Sequence, residues 1–181
     1  LFPYTTLFRS RDSQTIYRAS DLIAAGFSAG QISAIAYEWN SNTGTYAKEL
    51  SIYMTTTEKN QFDSYSDYVP TSQFVNVYGP TTRPAGLTGW TTYTLSTPFI
   101  WDGVSNIVIT TITNQPTGSS QGSSGFNGLS TSASYCATIY RYQDNTQFQI
   151  GSATTSGNAG TSCQQYYPNI KFTITPCAPE E

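Results

Sequence analysis

Histidine is absent from this 181-residue chain. That removes every Ser-His and Cys-His nucleophile arrangement and every zinc site built on imidazole. Charge is scarce as well: 10% of residues are Asp, Glu, Lys or Arg, against roughly a quarter in an ordinary globular protein. The eight Lys and Arg residues are scattered and the net charge is −3, so there is no basic footprint for nucleic acid or anionic lipid. Cysteine is limited to three residues with no CxxC spacing, which excludes an all-cysteine tetrahedral zinc site. No apolar run reaches the roughly 18 residues that a membrane-spanning helix needs.

What the chain has instead is Thr, Ser, Asn, Gln and Tyr, a neutral, hydroxyl-rich composition suited to extracellular β proteins. Its length fits one sandwich or barrel domain. Residues 1–10, LFPYTTLFRS, match at all ten positions the in-frame translation of a widely used short-read sequencing adapter. The expectation is that native sequence begins near Arg11, with any signal peptide cut away. The domain is then 11–177, and 178–181 begin a linker to a missing downstream region.

The most legible stretch is Gly89 to Asn114, which reads as strand, corner, strand. Trp90 to Ser96 has period-two character and Pro98 breaks it. Phe99, Ile100 and Trp101 form an apolar plug, Asp102-Gly103 turns, and Asn106 to Thr113 alternates again. Trp90 and Trp101 are expected as core or corner anchors. Upstream, Gln14 to Arg18 predicts a short strand, and residues 20–26 a helix capped by Ser20 and stopped by Gly26. Gln31 to Trp39 predicts a central strand, with both faces apolar. Lys48 to Thr55 is expected to pair with it across the Asn40–Gly44 turn. Thr55 to Ser72 has no sustained period and reads as a long crossover, pinned by Phe62 and Tyr68, where recognition residues are to be sought.

Phe74 to Tyr78 is a strand, followed by a turn-rich link through Gly79 and Pro80. Gln115 to Ser134 is a Gly/Ser excursion anchored by Phe126 and Leu129. Tyr135 to Gln143 alternates, Gln147 to Ile150 is a possible short return strand, Gly151 to Ser162 a loop, and Asn169 to Thr175 the last strand. Eight to nine strands with one small helix predict an all-β fold, an antiparallel two-sheet β-sandwich of jelly-roll type.

The cysteines allow three pairings. Cys136 with Cys163 is the preferred one, closing a loop whose restraint contributes roughly 3 to 4 kcal/mol. Cys177 is then left over; pairing it with Cys163 instead leaves Cys136 as a free thiol.

The chain resembles a family of β-sandwich modules in secreted and cell-surface proteins of the Bacteroidetes group. The residues that carry the resemblance are SQTIYRASDLIAAG, QISAIAY, FVNVYGP, GWTTYTLSTPFIWDGVSNIVI and YYPNIKFTI, within about Asp12 to Cys177. The resemblance implies export and a noncatalytic adhesion or recognition role on a multidomain chain, with neighbouring domains, and it supplies no catalytic residues to carry over.

The expected function is therefore a noncatalytic extracellular or cell-surface recognition module whose partner is a glycan or a surface protein, with no cofactor. A carbohydrate-binding module attached to a secreted hydrolase is the alternative. In that reading Tyr65, Tyr68, Tyr166 and Tyr167 stack on sugar faces while groups such as Asp67 hydrogen-bond them; each can equally cover the core. A glycosidase would need two carboxylates across a cleft. Glu38, Glu49, Glu58, Asp63, Asp67, Asp102 and Asp144 form no distinctive pair, and only Glu38, beside Trp39, has surroundings able to raise its pKa. Asp102 in WDGVSN is read as a turn residue, since one carboxylate falls far short of a calcium cage of roughly six to eight oxygens.

Overall fold

The computed structural model describes residues 9–39, 47–114, 130–144, 147–151 and 160–176. Among them are eleven strands and one short α-helix. The strands are β1 (Arg9–Tyr17), β2 (Gly30–Trp39), β3 (Lys48–Thr57), β4 (Val75–Arg83), β5 (Gly89–Trp101), β6 (Asn106–Asn114), β7 (Ser130–Ser132), β8 (Thr138–Asp144), β9 (Gly160–Gln164), β10 (Tyr166–Pro168) and β11 (Ile170–Pro176). The helix, α1, spans Ala19–Ala24.

A six-stranded sheet in the order β4-β3-β6-β1-β8-β9 packs against a three-stranded sheet β11-β2-β5, and β7 and β10 form a separate ribbon. All pairings are antiparallel. The chain passes repeatedly from one sheet to the other, the jelly-roll-like habit of this sandwich. One passage corrects the expected hairpin: β2 pairs with β5 and β11, and β3 with β4 and β6. Both strands are apolar on faces that need cover, and placing them in opposite layers buries Ile32, Ile35 and Tyr37 against Leu50, Ile52 and Met54. Each such side chain contributes about 1.5 to 3 kcal/mol when fully buried.

Bulges account for the other departures. β5 runs on through Pro98, because the register shifts between Ile32↔Phe99 and Ala34↔Thr94 and leaves residues 95–98 bulged; proline is tolerated at such a bulge. β4 likewise continues past Tyr78 to Arg83. Gly79 sits at φ +77°, and a Cβ there would lie 2.2 Å from the Leu50 carbonyl oxygen, so only glycine lets β4 bulge this close to β3. The expected return strand at Gln147 to Ile150 is irregular chain that buries Phe148. β8 pairs with β1 on one side and on the other with β9, which begins within the Gly151–Ser162 stretch expected to be a loop. Phe126, Leu129 and Cys177 lie outside the described residues. Arg9 and Ser10, within the adapter-like segment, extend β1 opposite Asp144 and Gln143, and β1 is an internal strand rather than an edge.

α1 begins one residue earlier than expected. Ser20 lies inside it and Arg18 takes the cap position without a side-chain bond; Asn106 Oδ1 accepts from the first-turn Ala19 N–H at 2.8 Å instead. Gly26, at φ +90°, ends the turn as read. Trp101 is buried and its indole N–H donates to the Ser105 carbonyl at 2.8 Å. Asp102 Oδ1 accepts from the Val104 and Ser105 N–H groups at 2.9 and 2.8 Å, the turn geometry expected of it. Burial pushes this carboxyl up, but the hydrogen bonds from Ser105 and Val104 outweigh it and hold the group below the usual carboxylate range.

The outer face of the six-stranded sheet is covered by the 58–74 segment. Phe62 and Val69 are buried there against Ile16, Val108 and Ile139. Polar ties fix this cover: Gln14 Nε2 donates to the Val69 carbonyl at 3.1 Å and its Oε1 accepts from the Val69 N–H at 2.8 Å. The Phe62 N–H donates to the Cys136 carbonyl at 3.0 Å. Cys136 is disulfide-bonded to Cys163, 27 residues on, with Cα atoms 5.7 Å apart.

Candidate functional site

An open cleft of about 340 Å³ lies where the start of β11 meets α1 and the β7/β10 ribbon. Alternation along β5 exposes Trp90 and Thr92 and turns Tyr93 and Leu95 inward. Trp90 is thus 39% exposed on the outer face of the three-stranded sheet, so of the expected core or corner placement the core one is corrected. Lys171 Nζ lies 3.9 Å from the centre of its ring. Tyr17, Phe27 and Tyr167 supply the other rings. Tyr17 meets Tyr167 edge-on at 5.5 Å, and Phe172 packs edge-on beneath both Tyr17 and Phe27, at 6.2 and 5.6 Å.

The polar groups around these rings are already braced. The Tyr17 hydroxyl donates to the Pro168 carbonyl at 3.0 Å. Asn169 Oδ1 accepts from Thr131 Oγ1 at 2.8 Å, and its Nδ2 donates to Glu38 Oε2 at 2.9 Å, tying the ribbon to β2. Arg18 stacks 3.3 Å over the Tyr135 ring and donates through Nε to the Asn60 carbonyl at 2.7 Å. The Tyr135 hydroxyl donates to Asp21 Oδ2 at 3.4 Å. Burial pushes the Tyr135 phenol up to about 12, with Arg18 opposing and Asp21 adding. Burial, then the Asp21 charge, raises Tyr167; burial and neighbouring phenols hold Tyr17 well above its usual range. These phenols stay protonated at neutral pH, and those of Tyr17 and Tyr135 donate hydrogen bonds. Asp21 is the one carboxylate lining the cleft among the described residues.

The residues singled out from sequence fall in three places. Tyr167 lines this cleft. Tyr166, its neighbour on β10, is 45% exposed and lines a smaller recess of about 100 Å³ with Ser13, Thr15 and Thr138. Tyr65, Asp67 and Tyr68 lie in the 58–74 segment. Tyr65 is 55% exposed. Asp67 is held by Lys59 at 2.8 Å and by the Asp63 N–H at 2.9 Å; although burial pushes its carboxyl up, these bonds keep it lowered. Tyr68 is half-buried, over Arg141. The five are therefore not one site.

Local pattern did not mark Tyr17, Phe27, Trp90 and Lys171 as neighbours around one cleft. The signal for Trp90 was present, since period two groups it with Thr92 and Thr94 rather than with Tyr93 and Leu95. No family model, no curated protein and no solved structure matches this chain.

Proposed function

We propose that this chain is a noncatalytic adhesion or recognition module of a larger secreted or surface-anchored bacterial protein, taking its ligand in the cleft of Tyr17, Phe27, Trp90 and Tyr167. The observation that carries the proposal is that cleft: the exposed ring of Trp90 and the half-buried rings of Phe27 and Tyr167 over a buried Tyr17, beside braced hydrogen-bonding groups, the usual make-up of a binding site. The Cys136–Cys163 disulfide supports placement outside the cell, where such bonds persist.

Within this reading a carbohydrate ligand is favoured, because Trp90 and Tyr167 offer flat apolar surface while Asp21, Asn169 and Lys171 rim it with polar atoms. A glycan-array screen of the purified domain, repeated with Trp90→Ala and Tyr167→Ala, tests it. The expected result is a set of bound glycans that both variants lose. An array blank for all three proteins removes carbohydrate as the ligand, and cleavage of an arrayed glycan overturns the noncatalytic assignment. Recovery of the complete gene tests membership of a larger exported chain.

A further inference from the structure

A further pocket, of about 220 Å³, opens on the outer side of the six-stranded sheet, between that face and the 58–74 segment. By period two, Asp12 shares this face with Ile16, Thr110 with Val108, and Arg141 with Ile139. Toward one end the face is apolar and sealed by Phe62 and Val69; toward the other it turns polar. Asp12 is buried, and its Oδ2 accepts from Arg141 Nε and Nη2 at 2.9 and 2.6 Å. The guanidinium lies between the rings of Tyr68 and Phe148, at 5.2 and 5.1 Å, so its position is fixed and the charge of Asp12 is balanced.

Three residues that line this pocket each carry a buried oxygen with no protein partner: Asp12 Oδ1, Thr110 Oγ1 and the Tyr68 hydroxyl. Gln14, on the same face, has both ends of its amide paired, so the fold is able to satisfy polar atoms here. Leaving a buried group unpaired costs about 1 to 3 kcal/mol. A ligand completing these bonds must donate to Oδ1 and exchange hydrogen bonds with two hydroxyls. It must also be neutral, because the ion pair leaves no charge to compensate, and small enough for the pocket. Adjacent hydroxyls on a compact ring meet all these demands, whereas a cation would face the Arg141 guanidinium.

We propose that this pocket binds one neutral sugar residue, whose adjacent hydroxyls donate to Asp12 Oδ1 and pair with Thr110 and Tyr68. The site is separate from the aromatic cleft and does not rest on it. The test titrates the isotopically labelled protein with the methyl glycosides of glucose, galactose, mannose, xylose and fucose, following backbone amides by NMR. The same titrations are run on Tyr68→Phe, Thr110→Val and Trp90→Ala. The expected result is that at least one glycoside shifts amides around Asp12 and Arg141, that Tyr68→Phe and Thr110→Val each weaken it about tenfold, and that Trp90→Ala leaves it unchanged. Because each of the first two substitutions deletes a hydroxyl with no protein partner, the melting temperature of the free variants should hold or rise. Binding of none of the five overturns the proposal. So does undiminished binding by both hydroxyl variants, or a lowered melting temperature in both, which would assign the hydroxyls to buried structural water.

Discussion

The aromatic cleft and the polar pocket of this sandwich are built on opposite plans. The one beside α1 is made of ring surface, and several of its polar groups already hold protein partners: Asn169 holds Thr131 and Glu38, the Tyr17 hydroxyl holds Pro168, and Asp21 holds Tyr135. The one beneath the 58–74 segment is made of polar atoms, and three of them are unspent. A ligand in the first must be held mainly by contact with ring faces, which tolerates variation in its polar pattern. A ligand in the second must match hydrogen-bond positions, because a mismatch leaves buried groups unpaired. Under the two proposals the ring-lined cleft is the more permissive site and the polar pocket the more selective one.

Breaking the charge balance of the polar pocket gives the largest effect. Arg141→Ala leaves Asp12 buried and alone and is expected to cost about 3 to 5 kcal/mol, read from urea denaturation. Replacing both partners, Asp12→Leu with Arg141→Met, should recover most of that loss. Trp90→Ala, at the partly exposed cleft, should stay within about 1 kcal/mol of the parent. Equal losses for Arg141→Ala and Trp90→Ala would erase the distinction between the two clefts.

Next comes the disulfide. Cys136 lies beside the Phe62 attachment of the 58–74 cover, so removing the bond with Cys136→Ala and Cys163→Ala should cost about 3 to 4 kcal/mol. Hydrogen exchange should quicken at the Phe62 and Val69 amides of the 58–74 cover more than at the Leu22 and Phe27 amides of the cleft.

The smallest effects are pH dependences of opposite sign. Burial, outweighing the charge and hydrogen bonds of Arg141, raises the Asp12 carboxyl above its unfolded value near 3.8. The stability this group contributes is therefore fully present below that pH and lost as pH rises through the folded value. Asp102 is lowered from 3.8, so its contribution is present above that pH and lost as pH falls through the folded value. In denaturation series from about pH 3 to about 7, the stability difference between parent and Asp12→Asn should shrink as pH rises. The difference between parent and Asp102→Asn should grow.

Much of the fold was legible because burial imposes period two. Alternation marked β2, β3, β6 and β11, and the Asp102-Gly103 corner declared itself by its turn chemistry. What stayed hidden were the bulges that carry β4 through Gly79 and β5 through Pro98, since Gly and Pro signal chain breaks unless a partner strand absorbs them. Hidden too was the partnering of β2 and β3 in different sheets, because local pattern carries no information about which layer a strand joins. The candidate sites were less legible still. Tyr68 and Tyr167 could be named as exposed aromatics, but their settings depend on residues far away in sequence, Arg141 for one and Tyr17 for the other. Asp12 gave no local sign, because burial of its carboxylate requires β1 to lie between β6 and β8 with the 58–74 segment above.

The central claim, recognition through the ring-lined cleft, is tested most directly by the tryptophan indole N–H signals while the glycan selected on the array is titrated in. Trp101 is buried and bonded to Ser105, whereas Trp90 faces the cleft. The Trp90 signal is predicted to shift with added glycan while that of Trp101 stays in place. A glycan that binds and leaves Trp90 unmoved would contradict the assignment.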